Sequence, residues 1–155
     1  MQTPWAILLC KFKDDAREPL TRQLFEDLFT SSGIGKFNMV DYFRDMSHGV
    51  LDLGGSKVFG WFTLDKNRSE YTGSGANQQG RKDLIEWARQ KAADNKVDLS
   101  KFFSVVVCMN VPTDLFGGGS GVVCDDARGE LPNGVPACRT YHPACWDRRW
   151  ATPTG

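Results

Sequence analysis

No charge of either sign predominates in this chain. Lys+Arg and Asp+Glu are both 19 among 155 residues, so the formal net charge is zero. That excludes a broad electrostatic footprint for nucleic acid or an anionic membrane. Long hydrophobic runs are missing too. The longest apolar run near the start, "WAILLC", is far too short to span a bilayer. It lacks the basic lead-in and small-residue cleavage site of a signal peptide, so the compartment is unknown from these residues. Five cysteines, Cys10, Cys108, Cys124, Cys138 and Cys145, make an odd count, which argues against a full disulfide framework. Histidine is scarce, with His48 and His142 only. Internal repeats and an interdomain linker are absent. What remains is ordinary globular composition, with 41% hydrophobic and 25% charged residues, in a length that suits one domain with its own core.

The order of patterns along the chain predicts an α/β (α+β) fold. "WAILLCKF" is a short, nearly unbroken apolar run and predicts a buried strand. "EPLTRQLFEDLFT" places Leu20, Leu24, Phe25, Leu28 and Phe29 on one helical face, with Pro19 near its start. "NMVDYFRDMSHG" predicts a second helix, capped by Asn38 and stopped by Gly49. "VLDLGG" and "SKVFGWFTL" are strand-like, and Gly54-Gly55 between them predicts a hairpin or meander. "QQGRKDLIEWARQKAADN" has an apolar stripe of Leu84, Ile85, Trp87 and Ala88 opposite a charged face, the pattern of an amphipathic helix. "FFSVVVCMNV" predicts a second buried strand. A helix between two buried apolar strands implies a crossover and a mixed, partly parallel twisted sheet with helices packed on it. Two segments result: residues 1–125 as the folded body, and 126–155, with scattered Pro and Gly and no period, as an irregular, disordered tail.

Most motif tests fail. "GGGSG" follows a buried strand but lacks the Lys-Ser/Thr pair of a phosphate loop. "GSGANQQG" has Gln78 where G-x-G-x-x-G needs its third glycine, and Val122 replaces the last glycine of G-x-S-x-G around Ser120. Cys138, His142 and Cys145 are zinc-ligand types at no standard spacing, without a fourth ligand nearby. The carboxylates of "KDDAREP" and "CDDARGE" suit calcium by type, and as solvated loop acids they need no ion. Cys10 and Cys108 lie in strand-like runs and behave as small buried hydrophobes. His48 at a helix C-terminus is explained by the helix dipole alone.

The stretch "NMVDYFRDMSHGVLDLGGSKVFGWFTLDKNRSEY" says more as a whole. Asp41, Tyr42, Phe43, Met46, Ser47 and Gly49 match one half of a pattern, continued by Leu51, Leu53 and Gly55. Val58, Gly60, Trp61, Leu64 and Tyr71 match the "V-x-G-W" half. Together they resemble immune-inhibitor-A-like zinc metallopeptidases, a zincin family, over about residues 5 to 125. The resemblance implies a zincin-like N-terminal subdomain in which these residues are scaffold. It implies an edge strand that pairs with a peptide or protein substrate, here Gly121, Val122 and Val123 in "GSGVVCDD". It implies a following helix with H-E-x-x-H, whose histidines hold zinc and whose glutamate activates water. Members are often secreted.

The sequence departs from the family there. H-E-x-x-H is absent, so no catalytic or metal-ligating residue can be assigned, and no cofactor is expected in the chain as written, although zinc is expected in an intact member. The end "ACWDRRWATPTG" offers a reason. Trp has one codon, so Trp146 and Trp150 fix the underlying DNA. Read one base earlier, the same DNA must encode Leu and two Gly, and permits L-G-Q-E-M-G-H-A-Y-G, a zincin-like Q-E-x-G-H. The expectation is an inactive metallopeptidase fragment, truncated by a frame change between about Asp125 and Cys138. The alternative is a non-enzymatic peptide- or protein-binding domain on the same scaffold.

Overall fold

Among the described residues, the α-helices and strands in chain order are strand β1 (Trp5–Lys11), helices α1 (Arg22–Phe29) and α2 (Met39–Met46), strand β2 (Lys57–Thr63), helix α3 (Gln79–Asp94) and strands β3 (Ser104–Met109), β4 (Val122–Val123) and β5 (Thr140–Tyr141). The structure, a computed structural model, describes residues 2–72 and 79–111, together with the backbone of β4 and β5. The strands form one sheet in the order β2-β1-β3-β5-β4. β1 is parallel to β2 and β3, β3 is parallel to β5, and β4 is antiparallel to β5. The fold is therefore α/β with a mixed sheet.

β1 is buried from Trp5 through Cys10 because both its faces are covered. Ala6, Leu8 and Cys10 point into one layer with Leu84, Ala88 and Ala92 of α3. Trp5, Ile7 and Leu9 point into the other, with Phe25, Phe29, Met39 and Val40 of α1 and α2. Strands buried on both faces lose the apolar-polar alternation and read as continuous apolar runs. The small side chains of Ala88 and Ala92, both fully buried, let α3 lie close on the sheet.

The predicted hairpin is not formed. β2 does not fold back on residues 50–53; it runs parallel beside β1, from Ala6↔Lys57 to Lys11↔Thr63. Asp52 bridges Gln2 in the same direction. The chain thus continues along the edge of β1, and Gly54-Gly55 is an interruption rather than a reversal. Ser56 spans the interruption: its Oγ accepts from Trp5 N at 2.8 Å and donates to Leu53 O at 2.7 Å. A serine hydroxyl replaces a missing carbonyl of the ladder.

Helix α1 is also shorter than its pattern. Thr21 caps it, accepting from Leu24 N, and Pro19 lies outside. Phe25 and Phe29 are buried, but Leu20 and Leu24, assigned to the same apolar face, are 46% and 45% exposed. Two turns are enough to present one pair of aromatic side chains to the sheet. Phe25 meets the Trp61 ring edge-on at 5.8 Å.

Asn38 joins α1 to α2. Its Oδ1 accepts from Asp41 N at 3.1 Å as the N-cap of α2. Its Nδ2 donates back to Asp27 O at 3.0 Å and Thr30 O at 2.7 Å, at the end of α1. The chain leaves α2 through Ser47 and through Gly49 at φ +80°, a conformation that favours glycine.

Candidate functional site

The two edges of the sheet are unlike. At one edge, α1 covers β2, and Arg22 Nη2 donates to Val58 O at 2.8 Å. Closing an edge with a charged side chain discourages further strand pairing. At the other edge stands β4, paired among the described residues with β5 alone, as Val122↔Tyr141 and Val123↔Thr140. An open strand edge offers N–H and C=O groups that an extended segment can pair with. Val122 and Val123, two of the three residues expected to pair with a substrate, form this strand. Gly121, the third residue of that expectation, lies outside the described residues.

The residues of the zincin-like pattern serve the scaffold. Asp41 is buried; its Oδ2 accepts from Gly35 N at 2.7 Å and its Oδ1 from Arg44 Nη2 at 2.9 Å. Ser47 Oγ accepts from Leu51 N at 2.8 Å. Gly60 has φ +99°, and a Cβ there would fall 2.4 Å from Leu9 O, so only glycine lets β2 approach β1.

At the carboxyl end of the parallel strands, the acids of "KDDAREP" have partners within the chain. Asp15 Oδ1 accepts from Arg17 Nε at 2.9 Å, and the Arg17 guanidinium holds the Asp15 carboxyl down at about 2. Asp14 Oδ1 accepts from Arg68 N at 2.9 Å. Glu18 meets Lys11 Nζ at 2.5 Å. Asn110, just after β3, ties this loop down: Nδ2 donates to Asp15 O at 3.0 Å and Arg17 O at 2.9 Å. Among the described residues no three His, Cys, Asp or Glu side chains gather as a metal site. Cys138, His142, Cys145, "CDDARGE", "GGGSG" and Ser120 lie outside the described residues, as does most of the expected tail; within that tail, Thr140–Tyr141 form β5.

Cys10 and Cys108 are free and buried. Burial pushes the Cys10 thiol up to about 12 and Cys108 well above its ordinary value, which makes both poor nucleophiles. His48 is exposed just past α2 with φ 53°. One residue escaped the sequence reading. Arg81 is only 6% exposed, in the first turn of α3. Its spacing to Leu84, Ala88 and Ala92 sets it on the buried stripe, and that spacing was the available sign.

No family model, no curated protein and no solved structure matches this chain.

Proposed function

We propose that this chain is a zinc metallopeptidase-like scaffold whose edge strand β4 receives a peptide or protein in extended form. The observation that carries the reading is the place of β4. The segment after the buried strand β3 stands last in the sheet and antiparallel to its neighbour. That is the position in which the resemblance to immune-inhibitor-A-like peptidases expects a substrate-pairing strand. Asp41 through its hydrogen bonds, Gly49 through its positive φ and Gly60 through its close approach to β1 each have a structural task, which supports it.

Recognition in this scheme is main-chain pairing by Gly121, Val122 and Val123. Each net hydrogen bond contributes about 1 kcal/mol, so so short a strand binds weakly unless side-chain pockets add to it. As written, the chain holds no H-E-x-x-H. Peptide-bond hydrolysis, and the zinc it needs, belong to a form in which the shifted frame supplies Q-E-x-G-H.

Resequencing the gene through the codons of Val122 to Gly155 and beyond tests this. A continuing open frame that carries E-x-G-H and a further zinc ligand supports the metallopeptidase origin. A shifted frame that closes at once refutes it and leaves the non-enzymatic reading. That second reading is favoured by β4 itself, which forms in the chain as written. It is tested by amide hydrogen exchange at Val122 and Val123 with a bound partner peptide. Binding that survives Val123→Pro unchanged counts against it.

A further inference from the structure

We propose that the N-terminus of α3, with the buried guanidinium of Arg81, is a binding site for a phosphate group. The proposal is independent of the edge strand. Arg81 is 6% exposed and its Nε is buried without a hydrogen-bond partner. Among the described residues it has no ion pair. A buried donor left unpaired costs about 1–3 kcal/mol, and an anion beside the guanidinium would satisfy it.

The surroundings say where that anion sits. α3 is 16 residues long, and the first turn of a helix presents unpaired backbone N–H groups and a partial positive charge. No acidic residue stands in that first turn. The next carboxylate along the helix, Asp83, accepts from Gln79 Nε2 at 2.6 Å. Helical side chains tilt toward the N-terminus, which sets Arg81, in the first turn, toward that end of α3. Leu84, one turn on, is 1% exposed and anchors the helix in the core, which holds Arg81 on the buried side. A planar fork of donors beside several backbone N–H groups suits a tetrahedral oxyanion with oxygens in more than one direction.

The test uses the full 155-residue chain and inorganic phosphate, with sodium chloride at matched ionic strength as the control. The expected result is a saturable change in the amide resonances of Gly80, Arg81 and Lys82 and a rise in Tm, both absent with chloride. Arg81→Met removes the unpaired buried donor. It is expected to melt higher than the parent in phosphate-free buffer and to lose the phosphate response. Arg81→Lys keeps the charge without the fork and is expected to bind about tenfold more weakly. Three results overturn the proposal: no saturable response in the parent chain, the same response with chloride, or an Arg81→Met variant that melts lower without phosphate. The last would mean that Arg81 is already paired within the chain.

Discussion

Removing the side-chain amide of Asn38 separates two jobs that one residue performs. Its Oδ1 caps α2, and its Nδ2 holds two carbonyls at the end of α1. Asn38→Ala loses both. The cap contributes about 1 kcal/mol. Asp27 O loses its amide donor in a part-buried position, at about 1–2 kcal/mol, while Thr30 O keeps Gly33 N at 3.3 Å. The expected total is about 2–3 kcal/mol. N38D keeps the capping oxygen but sets a carboxylate oxygen against two carbonyls that now lie 2.7 and 3.0 Å from an amide nitrogen. At neutral pH it is expected to cost at least ~2 kcal/mol despite an intact cap. Repulsion raises the folded-state pKa of the new carboxyl, so its protonated form, which can donate, is favoured in the folded chain. The deficit of N38D is therefore smallest in acid and grows as pH rises through that raised value. Urea unfolding followed by tryptophan fluorescence reads both variants, since Trp5 and Trp61 lie in the layer under α1 and α2. An N38D chain within about 0.5 kcal/mol of the parent at pH 7 would refute the clamp, because the cap alone would then account for Asn38.

Arg17→Ala is expected to return the Asp15 carboxyl from about 2 toward the ordinary carboxylate range, read by carbon-detected NMR titration. Because the folded value is depressed, the stabilisation by this pair is present above the ordinary range and lost as pH falls toward 2; equal parent-to-variant differences at pH 2 and pH 7 would contradict it. In native protein at pH 8, iodoacetamide followed by peptide mass mapping should leave Cys10 and Cys108 unmodified, since both are buried with raised thiols, and fast labelling of either would show the two-sided sheet to be open. Ala88→Leu should destabilise by about 1–3 kcal/mol by forcing α3 off the sheet, whereas Leu84→Ala should cost about 2–5 kcal/mol by leaving a cavity; a neutral Ala88→Leu in thermal unfolding would place α3 elsewhere.

Much of the fold is legible where side-chain period and burial agree. β1 and β3 are covered on both faces, so their apolar runs are continuous, and α2 begins at the asparagine that its sequence puts there. The failures have local causes. Gly54-Gly55 has the composition of a reversal, but the hydroxyl of Ser56 bridges the break and lets the chain run on beside β1. Leu20 and Leu24 share the helical period of Phe25 and Phe29, yet a helix of eight residues buries only the pair that faces the sheet. Thr140–Tyr141 is too short to carry a period, and its pairing with β3 joins residues far apart in sequence. Val122 and Val123 were singled out as a pairing edge through the family pattern, and what the structure adds is the strand they form. Arg81 was written in the stripe of α3, but a charged residue at its end is easily counted with the solvent face.

The central place of β1 has a consequence for synthesis on the ribosome. β1 is the first strand to emerge, yet both of its neighbours come later: β2 begins at Lys57 and β3 at Ser104. At translation speeds of roughly 5–20 residues per second, the roughly 90 residues separating β1 from β3 take about 5–20 s to make. Until β2 is made both edges of this apolar strand are unpaired, and until β3 is made one still is. Chaperone capture and misassembly with neighbouring nascent chains should therefore concentrate on residues 5–11.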